Sequence, residues 1–377
     1  MPSSDGADAP SREAFDVGLL SPVSVNEDHL VSDVRIAAAM VEVESALARA
    51  SARAGIAPES AAGAISSALD GFEPDAAELA RLAVAGGNPA IPLVAALRAR
   101  IAAIDADAAS WVHRGATSQD VIDSALMLVA SRALARVDNS LGIAEDALAR
   151  LADHHRSTVM AARTLTQQST PTSFGLVAAG WLLGVADARA GLPRTLPVQL
   201  GGASGTLASF VELGGGGVGG AAGIAAATAL PGLLAEELGL AAPVLPWHTR
   251  RGPITALGDA LTSLIDSLGV IATDVATLSR TEIGELGEPS GGGSSAMPQK
   301  QNPVRSVLIR SAAQRAPGLA AELHRSAATA VDQRPDGAWH AEWPALRELL
   351  RLALGTSALA AELLAGLQVD TDRMREN

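Results

Sequence analysis

ITALGDALTSLIDSLGVIATDVATLSRTEI, residues 254–283, is the stretch on which the fold class turns. Leu257, Leu261, Leu264, Leu268, Ile271, Val275 and Leu278 recur in it at alternating steps of four and three. That is the seam of a long helix packed lengthwise on other helices. Upstream, residues 119–155 contain no proline and one glycine, which predicts a helix about 50 Å long. Its start signal is Ser118, or Thr117 with Asp120 three positions on. Further helices are expected over 35–53, 304–332 and 344–367, with a break at Gly86-Gly87-Asn88-Pro89. Almost nothing alternates with a period of two, so no sheet is expected.

Composition agrees with a bundle. Alanine and leucine, which enter helices at little entropic cost, dominate a chain of 377 residues with no tyrosine and no cysteine. A core this poor in rings must be filled by aliphatic helix packing. The expected class is therefore all-α, read as an N-terminal helical part (1–110), a central long-helix bundle (111–352) and the end of the last bundle helix (353–377). Helices this long expose more apolar seam than one chain covers, which predicts a closed symmetric oligomer.

The net charge of −13 argues against a nucleic-acid partner. It leaves room for an anionic substrate held by a local cationic cluster. The absence of cysteine excludes a disulfide framework, a thiolate metal site and a cysteine nucleophile. No histidine pair has metal spacing and no HExxH occurs, so neither metal nor cofactor is expected. His154-His155 reads as the capped end of a helix. The first ten residues lack the apolar run of a signal peptide. Residues 214–235 are uncharged, but their glycine run and Pro231 make a poor membrane span. The expectation is a soluble, cytoplasmic protein.

Chemistry concentrates in three segments. GGGSSAMPQKQNP, residues 291–303, combines a mobile glycine run, two hydroxyls, a lysine and an amide, and a proline that opens a helix. Its backbone N–H groups with Lys300 and Asn302 suit a carboxylate whose α-carbon is losing a proton, although a plain flexible linker would read the same way. WVHRGATSQD (111–120) reads as a helix cap, and a helix N-terminus is itself an anion site. The third is RTLTQQSTPTSFG (163–175).

Residues 291–303 match the signature loop G-S-S-x-M-P-x-K-x-N-P at every fixed position, and the chain resembles the fumarase/aspartase superfamily. The other two segments resemble that superfamily's remaining motif regions. The resemblance implies a tetramer around a central helical bundle, with sites shared between subunits and a lid loop. It makes Ser294 the catalytic acid/base, with Lys300 and Asn302 on the substrate carboxylate. It places His113, Thr117, Ser118, Arg163, Gln167, Ser295 and Met297 at the substrate. Many family lyases carry a general-acid histidine where this chain has Leu165, and leucine transfers no proton.

Four more segments resemble the 3-carboxy-cis,cis-muconate cycloisomerase branch: GNPAIP (87–92), GGASGTLAS (201–209), PWHTRR (246–251) and DGAWHAEW (336–343). They add His248, Arg251 and His340 as expected substrate contacts. The implied substrate is a tricarboxylate muconate closing to a γ-lactone, a step whose reverse expels a carboxylate and needs a single acid/base. Alternatives are an adenylosuccinate- or argininosuccinate-type lyase and a catalytically impaired structural homologue. Two departures bear on activity. Gly252, Pro253 and Ala256 replace the charged residues usual there, and the chain stops at Asn377, where relatives continue into a C-terminal helical domain.

Overall fold

The computed structural model describes residues 18–216, 219–290, 292–293, 297 and 300–377. Five short-to-medium helices come first: α1 (Asp33–Arg53), α2 (Glu59–Leu69), α3 (Ala76–Gly86), α4 (Ala90–Ala102) and α5 (Ala106–Ala109). Then follow α6 (Ser118–His154), a hairpin of β1 (Val159–Thr164) and β2 (Gln167–Ser173), α7 (Phe174–Gly191), α8 (Ala208–Gly214) and α9 (Gly220–Leu238). The chain ends with α10 (Gly252–Leu278), β3 (Leu286–Gly287), α11 (Val304–Ala328), α12 (Gly337–Ala365), β4 (Gln368–Val369) and α13 (Thr371–Glu376).

The seam behaves as its spacing predicts. All seven of its residues are buried, and α10 packs against α7, α11 and α12, while α6 packs against α7 and α12. Two glycines on α10 let α11 come close: a Cβ on Gly258 would lie 2.5 Å from Leu323, and one on Gly269 2.7 Å from Ala313. The 37 residues of α6 make a rod about 55 Å long. Its start is set by Asp120, whose carboxylate accepts the Thr117 N–H at 3.0 Å. A second core gathers α1, α8 and α9 around Phe210, Leu200 and Leu230. Both α9 and α10 are long and apolar enough to cross a membrane, but α10 spends its apolar seam inside the bundle and α9 packs on α1 and α8.

Two expectations need correction. Strand is present: β1 pairs antiparallel with β2, and β3 with β4. The hairpin escapes a period-two search because most of it is exposed, so neither face has to be apolar. It turns on Leu165 and Thr166, both in the left-handed region (φ +51° and +69°), as a two-residue hairpin turn requires. The last bundle helix also starts at Gly337, seven residues before Pro344, which lies inside it. An interior proline costs about 3 kcal/mol. Here the preceding turns are held by tertiary bonds of Trp339 and Glu342 to other elements.

Candidate active site at the two ends of the bundle

At the start of α6 a set of charged groups is fully withdrawn from water. Asp120 accepts N–H bonds from Gly201 and Gly202 (2.9 Å each) and lies 2.8 Å from His248 Nε2. One turn on, Asp123 accepts Arg251 Nη1 and Nη2 (2.7 and 3.1 Å), Trp339 Nε1 (2.9 Å) and Gln119 Nε2 (3.2 Å). Glu342 takes the other edge of the same guanidinium, from Nε at 3.0 Å and Nη2 at 2.8 Å. Arg251 also stacks over the Trp247 ring at 4.7 Å. Burial opposes the Arg251 charge, yet Asp123 and Glu342 outweigh it and push the pKa up. Burial raises the Glu342 pKa, Asp123 adds to the rise, and Arg251 works against it.

His113 stands beside this cluster with φ +58°, an uncommon conformation for a residue with a Cβ. Its Nδ1 lies 2.6 Å from Glu44 Oε1, on the middle of α1. Thr117 is buried and Ser118 half-buried at the helix start.

The opposite end is built differently. Arg163 on β1 makes a two-point pair with Glu285 (2.9 and 2.6 Å), and Glu285 is wholly buried. Asn377 donates to the same carboxylate at 2.9 Å, so the chain end packs beside the hairpin. Leu165 stands at the hairpin tip, 95% exposed. Gln167 is exposed next to it.

The signature loop is pinched at its base. Gly292 and Asn302 exchange backbone hydrogen bonds of 2.9 and 3.2 Å. Asn302 Nδ2 donates to the Gly293 carbonyl at 3.4 Å. Glu288 caps the following helix, accepting the Arg305 N–H (3.1 Å), the Ser306 N–H (2.8 Å) and the Ser306 hydroxyl (2.8 Å). A carboxylate at a helix N-terminus satisfies donors that have no partner inside the helix. Lys300 is exposed, its N–H bonded to the Met297 carbonyl at 3.0 Å. Ser294 and Ser295 lie outside the described residues.

Several expected substrate contacts have partners within the chain. Arg251 has every N–H engaged by Asp123, Glu342 and two backbone carbonyls, so it is a structural cation. His248 is 3% exposed and faces Asp120. His340 has Nδ1 on the Asp336 carbonyl (3.0 Å) and Nε2 on the Gly87 carbonyl (2.8 Å), a staple between α12 and the break before α4. The Arg163 guanidinium meets Glu285 through Nη1 and Nη2 and stays partly exposed. Sequence reasoning missed Glu44, Asp123, Glu285 and Glu288. Only Glu44 left a trace: Glu42 and Glu44 are two apart on a helix and cannot share its outer face.

The ends do not meet. Arg251–Asp123 ties the beginning of α10 to the beginning of α6, and Arg163–Glu285 ties its far end to the hairpin after α6. His113, Thr117 and Ser118 therefore stand at the opposite end of the bundle from Leu165, Gln167, Lys300 and Asn302, with the 27 residues of α10, about 40 Å, running between the two ties.

Long helices in a bundle, with a pinched G-S-S-x-M-P-x-K-x-N-P loop at one end and a capped helix start at the other, define a lyase of the fumarase/aspartase type. A family model described as lyase matches residues 23–318, and the chain belongs to that family and to the fumarase/aspartase superfamily. It is 50% identical over 370 residues to the nitrosuccinate lyase of Streptomyces davaonensis, covering 96% of this chain and 77% of that one. The 3-carboxy-cis,cis-muconate cycloisomerase of Pseudomonas aeruginosa is 42% identical over 379 residues, covering 98% and 79%. The crystal structure of the 3-carboxy-cis,cis-muconate lactonizing enzyme from Pseudomonas putida superposes with a TM-score of 0.83 at 37% identity, covering 93% and 76%.

Proposed function

We propose that this lyase breaks a bond β to a substrate carboxylate and releases the leaving group as a ready-made anion, with nitrosuccinate as its substrate. One observation carries this reading: Leu165, which has no transferable proton, stands at the tip of the hairpin, where the resemblance puts the general acid of many family lyases. An amine or alkoxide needs a proton as it leaves; a nitro group expelled as nitrite does not. The 50% identity to a nitrosuccinate lyase points to that leaving group.

In this mechanism Ser294 removes a proton from the carbon α to one carboxylate. Lys300, Asn302 and loop N–H groups stabilise the doubly charged aci-carboxylate that results. Collapse of that intermediate forms the C=C bond and breaks the C–N bond, the electron pair leaving on nitrite. His113, Thr117 and Ser118 hold the second carboxylate at the start of α6, with Gln167, Ser295 and Met297 beside the substrate. The length of the bundle that separates these groups in one chain, about 40 Å along α10, supports a site completed by other copies, in a homotetramer. Such an enzyme works in the cytoplasm on a small polycarboxylate.

A second reading is cyclisation of 3-carboxy-cis,cis-muconate, favoured by the four segments outside the signature motifs and by the 42% relative. It also needs no general acid at residue 165, since the group leaving in reverse is a carboxylate. Purified protein should release nitrite from nitrosuccinate, and Ser294→Ala should lower that rate by at least about 100-fold. Loss of the muconate's ultraviolet absorbance without nitrite release would install the second reading. Turnover of adenylosuccinate, or of neither substrate by a folded oligomer, would overturn both.

A further inference from the structure

We propose that Glu44 is a positioning residue that keeps His113 protonated, so that the start of α6 offers the substrate a fixed cation rather than a neutral imidazole. The inference rests on the reading above, in which that end of α6 holds an anionic substrate group.

Glu44 is 2% exposed in the middle of α1, a helix whose neighbouring positions Val43, Ala46 and Leu47 are core. A lone carboxylate is costly there unless it is paired. Its Oε1 meets His113 Nδ1 at 2.6 Å, a short contact of the charge-assisted kind. Its Oε2 is buried with no hydrogen-bond partner, so His113 is the group that balances this charge. His113 is drawn toward Glu44 through a left-handed backbone, which the bond must help to hold. With Nδ1 engaged, Nε2 has no hydrogen-bond partner among the described residues and is not sealed from solvent.

The charges around His113 come from three further elements. Burial alone would depress its pKa, and Arg98 on α4 acts in the same direction. Glu44 on α1, helped by Asp120 on α6, overcomes both, and the net shift is upward. The imidazolium thus persists above the ordinary histidine range. Its Nε2–H is a donor whose charge does not depend on the substrate's arrival.

The experiment uses the full chain labelled with 15N-histidine, and needs no turnover. The His113 resonance is identified by its loss in His113→Asn. In the wild type it should titrate above the ordinary imidazole range, with Nδ1 protonated. In Glu44→Gln the midpoint should fall by roughly one pH unit or more. If Glu44→Gln does not fold, Glu44→Asp and the wild-type titration decide alone. A wild-type midpoint at or below the ordinary range, or one that Glu44→Gln leaves in place, overturns the proposal. Kinetics on whichever substrate is turned over add a second readout. Glu44→Gln should raise KM roughly tenfold at neutral pH with a smaller effect on kcat. It should also move the alkaline rise of KM to lower pH. A loss confined to kcat would assign Glu44 a different role. Failure to turn over either substrate would remove the proposed function while leaving the titration result standing.

Discussion

The two ends of α6 carry similar kinds of residue put to opposite uses. At its start, Asp120 pairs with His248, and Asp123 and Glu342 pair with Arg251, inside the protein, and none of the five is more than 3% exposed. Beyond its other end, the hairpin tip and the signature loop present Leu165, Gln167 and Lys300 outward. Arg163–Glu285, the Glu288 cap and the Asn377 contact with Glu285 are among the bonds that hold the base of that end. One end is preorganised by its own chain. The other has a bonded base, with Leu165, Gln167 and Lys300 exposed beyond it.

Substitutions should separate the two kinds of end. The largest effect on stability is expected at the closed end. Arg251→Met leaves Asp123 and Glu342 buried without their cation, and should cost about 3–5 kcal/mol in urea unfolding. A loss below about 1 kcal/mol would mean that the cluster takes up water or protons and is not closed. At the open end, Lys300→Met should lower turnover by about 100-fold while leaving the unfolding midpoint in place. Were Lys300→Met to unfold the protein, the loop would be part of the scaffold and the contrast would fail.

The smallest and most diagnostic effect concerns two histidines at opposite ends of the same helix. His113 has its pKa raised, as argued above. His155, after the last turn of α6, has its pKa lowered by burial and by the neighbouring His154, whose ring centroid is 4.7 Å away. The signs follow from linkage. A raised histidine adds stability that is complete below its unfolded pKa and is lost as pH rises through its folded pKa. A lowered one withdraws stability as pH falls below its unfolded pKa, because the folded state resists the proton. Acidification from roughly pH 7 to 5 should therefore lower stability less in His155→Gln than in wild type. Raising the pH through the folded His113 value should lower stability in wild type and leave His113→Asn indifferent.

Much of the frame was legible. The spacing of Leu257 to Leu278 located the buried stripe of α10, and Thr117 with Asp120, one of two start signals read there, forms the capping box of α6. The hairpin was not legible: it turns on Leu165-Thr166, without the Asn-Gly or Asp-Gly that usually marks such a turn. The start of α12 was hidden by Pro344, whose local preference is overruled by bonds from Trp339 and Glu342 to distant residues. Among site residues, the loop of 291–303 was readable because its spacing is specific. Glu44, Asp123 and Glu285 were not, since nothing local marks an acid as buried.

The sequence by itself determined the class of this protein, the course of α6 and α10 and the spacing of residue types in its signature loop. These depend on periodicity and on residue types a few positions apart. Only the tertiary structure decided which charged groups pair with one another inside the protein. Arg251 and Arg163 look alike as sequence to any substrate-binding arginine, and are consumed by Asp123, Glu342 and Glu285. The reason is physical. A charge in water and a charge in a core have the same letter, and the difference lies in partners 91 to 128 residues away.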